Sequence, residues 1–101
     1  RSFCYIDDMV AALIKFMNLK NNFTGPLNLG NPYEINIFKI AKKIKRLTKS
    51  KSKLIFKKLP KDDPVKRRPD ISLAKKTLKW LPKISLNEGL LKTIKYFQIR
   101  I

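Results

Sequence analysis

Three short segments concentrate the residue types that bind charged groups. Arg1-Ser-Phe-Cys-Tyr-Ile-Asp-Asp8 sets an arginine at the mouth of a β-branched and aromatic stretch, ahead of two carboxylates. An arginine so placed can offer its guanidinium fork to a phosphate; the plainer reading is an arginine in solvent. Asn28-Leu-Gly-Asn-Pro32 carries turn residues, with Gly30 free to take a positive φ. A plain strand exit is the favoured reading of it. Asp62-Asp-Pro-Val-Lys-Arg-Arg-Pro-Asp-Ile71 holds Arg67 and Arg68 between prolines. Prolines stiffen a loop and lower the entropy of holding a guanidinium in place. The competing reading is a solvated loop with weak internal ion pairs.

Other chemistry is poorly supplied. The chain has no histidine, which removes a Ser-His-Asp triad and histidine-ligated metals, and Cys4 alone cannot build a disulfide framework or a cysteine zinc site. No metal site is expected. With no histidine to activate it, Cys4 reads as an inert, buried thiol. Asp7-Asp8 and Asp62-Asp63 are adjacent pairs that need not face one target, and helix capping explains the first. Trp80 and the other aromatics fall in apolar stripes or at helix ends, where core packing is the default.

At 101 residues, with a net charge of +17, the chain is one modest domain carrying a field that attracts polyanions: nucleic acid, anionic membrane, phosphorylated metabolites. A duller origin competes. Lys, Ile and Asn make up 38 of the 101 residues, and all three have A- and T-rich codons. Lysine is spread along the sequence, and arginine, the better bidentate phosphate reader, is scarce. No run approaches the roughly 20 apolar residues of a membrane span. The first residue is Arg1, and no charged and apolar leader follows, so the chain reads as a piece of something longer.

The elements that must position these segments follow from periodicity. Residues 1–6 suit a short strand, and Asp7-Asp8 supply cap oxygens for a helix whose stripe is Met9, Val10, Leu13, Ile14, Phe16 and Met17. Leu27–Leu29 is a second strand candidate. Asn36 caps a helix striped by Ile37, Ile40, Ala41, Ile44 and Leu47. Leu54–Phe56 reads as a third strand, and 60–69 as a loop. Ser72 caps a short helix with Leu73, Ala74 and Leu78 inward, ended by Trp80-Leu-Pro82. Ser85 and Glu88 form a capping box for a last helix with Leu86, Leu90, Leu91, Ile94 and Phe97 inward. The expected order is β-α-β-α-β-loop-α-α, an α/β chain. Three short strands make no stable sheet alone, so they are expected to add to one elsewhere.

Four spaced motifs carry a resemblance. Arg-Ser-Phe-Cys-Tyr-Ile-Asp-Asp, Gly-Pro-Leu-Asn-Leu-Gly-Asn-Pro, Asp-Asp-Pro-x-x-Arg-Arg-Pro-Asp-Ile and Leu-x-Trp-x-Pro-Lys-Ile-Ser-Leu-x-Glu-Gly-Leu occur in that order. Over about residues 1 to 97 the chain resembles the C-terminal part of the UDP-glucuronate decarboxylase (UDP-xylose synthase) family. That family sits among the extended short-chain dehydrogenase/reductases, with the NAD-dependent epimerases and dehydratases. The resemblance implies a Rossmann-type fold, of which residues 1–101 form the C-terminal nucleotide-sugar-binding part. It implies a lyase that oxidises C4 of the glucuronic acid ring with NAD, loses CO₂ from the β-keto acid and returns the hydride to give UDP-xylose.

Residue by residue, the resemblance assigns Arg1 and Arg67 to the UDP diphosphate and Tyr5, less strongly, to the lining of the site. Asp70 is expected to fix the loop and the following helix start. The family's Gly-rich NAD loop and Tyr-x-x-x-Lys pair have no counterpart here, where the glycines are Gly25, Gly30 and Gly89. No catalytic or cofactor-binding residue is therefore expected in this chain, and NAD is assigned to an N-terminal Rossmann domain absent from it. The isolated chain is expected to be inactive. A homodimer when complete and a cytoplasmic location also follow from the family. The alternatives are another NAD-dependent sugar-nucleotide epimerase or dehydratase, and a small basic nucleic-acid-binding module. The last is disfavoured because the aromatics are not interleaved with exposed basic residues as a stacking platform requires.

Overall fold

The computed structural model describes residues 1–20, 23, 25–57 and 68–100. Four helices follow one another: α1 (Ile6–Met17), α2 (Ile37–Thr48), α3 (Ser72–Leu78) and α4 (Leu86–Arg100). Among the described residues there is no strand; extended pairing is limited to one isolated antiparallel bridge between Ser2 and Glu34. The expected α/β class and its β-α-β-α-β-loop-α-α order are overturned: the described chain is helical. The physical reason lies in what a strand needs. β-Branched residues at 1–6, 27–29 and 54–56 favour extended backbone, but a strand is stabilised by neighbours on both edges and a covered face. Only residues 1–2 find a neighbour, through Ile35 N–H donating to the Arg1 carbonyl at 2.8 Å and the Arg1 ammonium donating to the Ile35 carbonyl at 3.2 Å.

Local capping chemistry places the helix ends. Asn36 accepts the Phe38 N–H through Oδ1 at 2.7 Å, as its position before the α2 stripe predicts, and α2 closes with Lys49 in the left-handed conformation. Ser85 Oγ accepts the Glu88 N–H at 3.2 Å, one half of the expected capping box, while the Glu88 carboxylate pairs with Lys92 at 3.3 Å. Two caps differ from expectation. Helix α1 begins at Ile6, so Asp7 and Asp8 lie inside its first turn, where they complement the helix dipole. Ser72 is the first residue of α3, and Asp70 accepts both its N–H (3.0 Å) and its hydroxyl (2.6 Å).

Helix α1 packs on α3 and α2 on α4. The core consists of Ala12, Ile71, Ala74, Leu78 and Trp80, with Leu19, Leu27 and Leu29 packed against it. Asp8 is buried at its edge and ties two parts of the chain together. Its backbone carbonyl accepts the Trp80 indole N–H at 3.0 Å, and its Oδ2 accepts the Ile84 N–H at 2.9 Å. The expected stripes are only partly buried. Leu13, Ile14 and Met17 of α1, Leu73 of α3, and Leu91 and Phe97 of α4 stay exposed. The dimensions, 51 × 36 × 19 Å, explain why. A slab less than two helix diameters thick, at about 10–12 Å each, buries one stripe per helix and no more.

Candidate functional site

The N-terminal segment, the 27–31 turn and the 68–70 segment meet around a cleft of about 770 Å³ lined by Arg1, Ser2, Asn28, Gly30, Arg68 and Asp70, among others. Its size falls within the roughly 300–1,000 Å³ typical of small-molecule sites. Three sequence motifs separated by up to 69 positions therefore converge on one concave surface.

Each wall has a local cause. The Ser2–Glu34 bridge and the Arg1–Ile35 hydrogen bonds fix the backbone that carries Arg1. In the turn, Asn31 Oδ1 accepts the Tyr33 N–H at 3.0 Å, holding the chain around Pro32. Gly30 does not adopt the positive φ that its type suggested. It serves close approach instead: a Cβ there would lie 3.0 Å from Cγ of Pro69. The turn can therefore press against Pro69 and bring the 68–70 segment to the cleft. Arg68 reaches Glu34, Nη1 to Oε1 at 3.6 Å, with both side chains substantially exposed.

Asp70 is held below the usual carboxylate range, chiefly by the Ser72 hydroxyl and N–H that it accepts, with Arg68 and Lys75 adding attraction. It is therefore an ionised clamp on the start of α3, the positioning role expected of it. The Cys4 thiol also lines the cleft but is pushed up from its ordinary value by burial first and by the Asp8 charge second. Held as a thiol beside the Tyr5 carbonyl at 3.7 Å, it is a poor nucleophile.

The structure separates two of the sequence candidates, Arg1 and Tyr5. Arg1 lines the cleft; Arg67, with Asp62 and Asp63, lies outside the described residues, although its neighbour Arg68 lines the cleft. Tyr5 stands elsewhere, in an apolar cavity of about 370 Å³ formed with Phe3, Ile40, Ile84 and Leu90. Its ring packs on Gly89, where a Cβ would lie 3.2 Å from Cδ1, and Lys92 Nζ sits 5.7 Å from its centroid. Two contributors escaped the sequence reading, Arg68 as a cleft residue and Glu34 as its partner. Glu34 is the only acidic residue between Asp8 and Asp62, a signal that was available.

The chain as a whole has counterparts among characterised proteins. Over 101 residues, all of the chain, it is 45% identical to UDP-glucuronic acid decarboxylase 1 of Arabidopsis thaliana. It is 47% identical to UDP-glucuronic acid decarboxylase 1 of Danio rerio over 97 residues, 96% of the chain. The chain is similar to the C-terminal part of the UDP-glucuronic acid decarboxylases. UDP-glucuronic acid decarboxylase 3 of Arabidopsis thaliana, 43% identical over 101 residues, extends the pattern. The chain spans 23%, 23% and 29% of the lengths of these three decarboxylases. No family model matches it.

Proposed function

We propose that this chain is the nucleotide-sugar-binding part of an NAD-dependent UDP-glucuronate decarboxylase, a lyase of the short-chain dehydrogenase/reductase group that converts UDP-glucuronate to UDP-xylose and CO₂. The observation that carries the reading is the common cleft of Arg1 and the Arg68–Asp70 segment. Cations from two separate segments can bracket a diphosphate through charge-assisted hydrogen bonds, which single surface lysines do less well. In this reading Arg67, next to Arg68 in sequence, supplies one guanidinium of that bracket and Arg1 the other. Tyr5 stays a candidate only at the edge of the site, since it lines a different cavity.

The residues of this chain do not fit NAD. A dinucleotide needs a Gly-rich turn at a helix N-terminus so that backbone can approach the pyrophosphate, and Gly25, Gly30 and Gly89 form no such run. In the proposed protein NAD binds outside these 101 residues, in an N-terminal domain. No redox or decarboxylation step is assigned to side chains here, and the isolated chain is inactive. In the same reading the decarboxylase is a homodimer located in the cytoplasm. Among the described residues no helix is long and apolar enough to cross a membrane.

Titration calorimetry of the 101-residue chain with UDP tests the reading. Arg67→Ala and Arg68→Ala are each expected to weaken binding by about 10- to 100-fold, the worth of a hydrogen bond to a charged group. Unchanged UDP affinity in both variants overturns the assignment.

A further inference from the structure

Nine of the basic residues lie between positions 39 and 57, and no acidic residue occurs between Glu34 and Asp62. The fold gathers this charge with exposed apolar groups. Phe38, Lys42, Lys45, Arg46 and Lys49 line one face of α2 along an open groove of about 490 Å³ whose far side is Ser50 and Leu54. The Phe38 and Phe56 rings lie 5.3 Å apart, and Lys42 Nζ sits 5.1 Å from the Phe38 centroid, so the chain after α2 folds back along the helix. Ile55 and Phe56 are left 78% and 76% exposed between Lys53 and Lys57. The inner side of α2 is already occupied: Ile40 is buried, and Lys43 is hydrogen-bonded to Asn87 of α4.

An Ile-Phe pair ringed by lysines is best satisfied where anionic and apolar surroundings meet. Water solvates the lysines and leaves the apolar pair uncovered. Nucleic acid neutralises the cations and can stack on phenylalanine, but it offers little to Leu54 and Ile55, which have no ring. The boundary between headgroups and acyl chains of an anionic bilayer meets both demands. Charge complementarity thus selects the occupant. We propose that α2 and residues 50–57 bind peripherally to an anionic lipid surface, with Ile55 and Phe56 entering at headgroup depth and the groove cations on lipid phosphates. This goes beyond nucleotide-sugar binding and uses a different part of the molecule.

Co-sedimentation of the 101-residue chain with vesicles of phosphatidylcholine alone, or mixed with phosphatidylserine, tests it. Binding is expected only to the mixed vesicles and is expected to weaken as salt rises. Replacing three cations together, Lys42→Ser, Arg46→Ser and Lys49→Asn, is expected to weaken partitioning by about 100-fold. Asparagine suits the left-handed backbone at position 49. Ile55→Ser with Phe56→Ser is expected to weaken it about tenfold. Because both of these side chains are exposed, folding should be preserved, which circular dichroism verifies. Equal sedimentation with both vesicle types, or full binding by the Ile55/Phe56 variant, overturns the proposal. So does tighter binding to a duplex DNA oligonucleotide that is indifferent to the Ile55/Phe56 change, which would reassign the face to nucleic acid.

Discussion

Arg68 and Glu34 face each other across 3.6 Å at the rim of the cleft, joined by a bridge in which the arginine is 65% and the glutamate 39% exposed. An ion pair this open contributes little to stability, because solvent screens it and two long side chains must be ordered. Its importance is electrostatic and local. The carboxylate sits beside a guanidinium that, in the proposed function, receives an anion. Glu34 therefore competes with that ligand.

Glu34→Gln should accordingly tighten UDP binding several-fold at low salt, with the gain shrinking as ionic strength rises. Thermal stability should hardly change. Calorimetric titration at two salt concentrations checks this; weaker UDP binding in the variant would show that Glu34 orients Arg68 instead.

The buried carboxylate of Asp8 behaves differently. Asp8→Ala leaves the Ile84 N–H without its acceptor and should destabilise the chain by about 1–3 kcal/mol in urea unfolding. Asp8→Asn keeps an oxygen in place and should cost less. The indole bond of Trp80 goes to the Asp8 backbone carbonyl and survives both changes, so fluorescence of the single tryptophan should stay that of a buried ring in the folded variants.

Gly30→Ala should separate cleft geometry from stability. The backbone tolerates alanine because φ is negative there, and losing unfolded-state freedom favours the variant by about 0.4–1 kcal/mol. Displacing Pro69, whose Cγ would lie 3.0 Å from the new Cβ, opposes that by a similar amount, about 1 kcal/mol. The melting temperature should barely move, whereas UDP affinity should fall because the segment carrying Arg68 is pushed outward.

Acid should loosen the start of α3 through Asp70. Its folded value lies below the ordinary 3.8, so the ionised form is favoured by folding. That contribution is complete above the unfolded value and is lost as pH falls from about 4 through the lower folded value. Asp70→Asn should flatten the dependence of stability on pH in this window. A steep acid limb that persists unchanged in the variant would place its origin in other carboxylates.

Much of the helical skeleton was legible in the residues. Asn36 before an Ile stripe and Ser85 three residues before Glu88 are local signals, and local chemistry decides them. The strands were misread because extended propensity at 27–29 and 54–56 becomes a strand only with a neighbour, which sequence spacing does not reveal. Asp8 was misread as a cap for a related cause. Its fate depends on the Ile84 N–H and Trp80, more than 70 positions away. At the cleft, the motifs that contain Arg1 and Arg68 announced themselves by type, while the pairing of Arg68 with Glu34 is a product of folding.

The two bonds that Asp8 makes span 72 and 76 positions of chain. During synthesis, the chain must extend past Ile84 before the first helix can acquire both anchors. Docking of the first helix on its distant anchors is thus a late contact in chain order, one that local helix formation can precede.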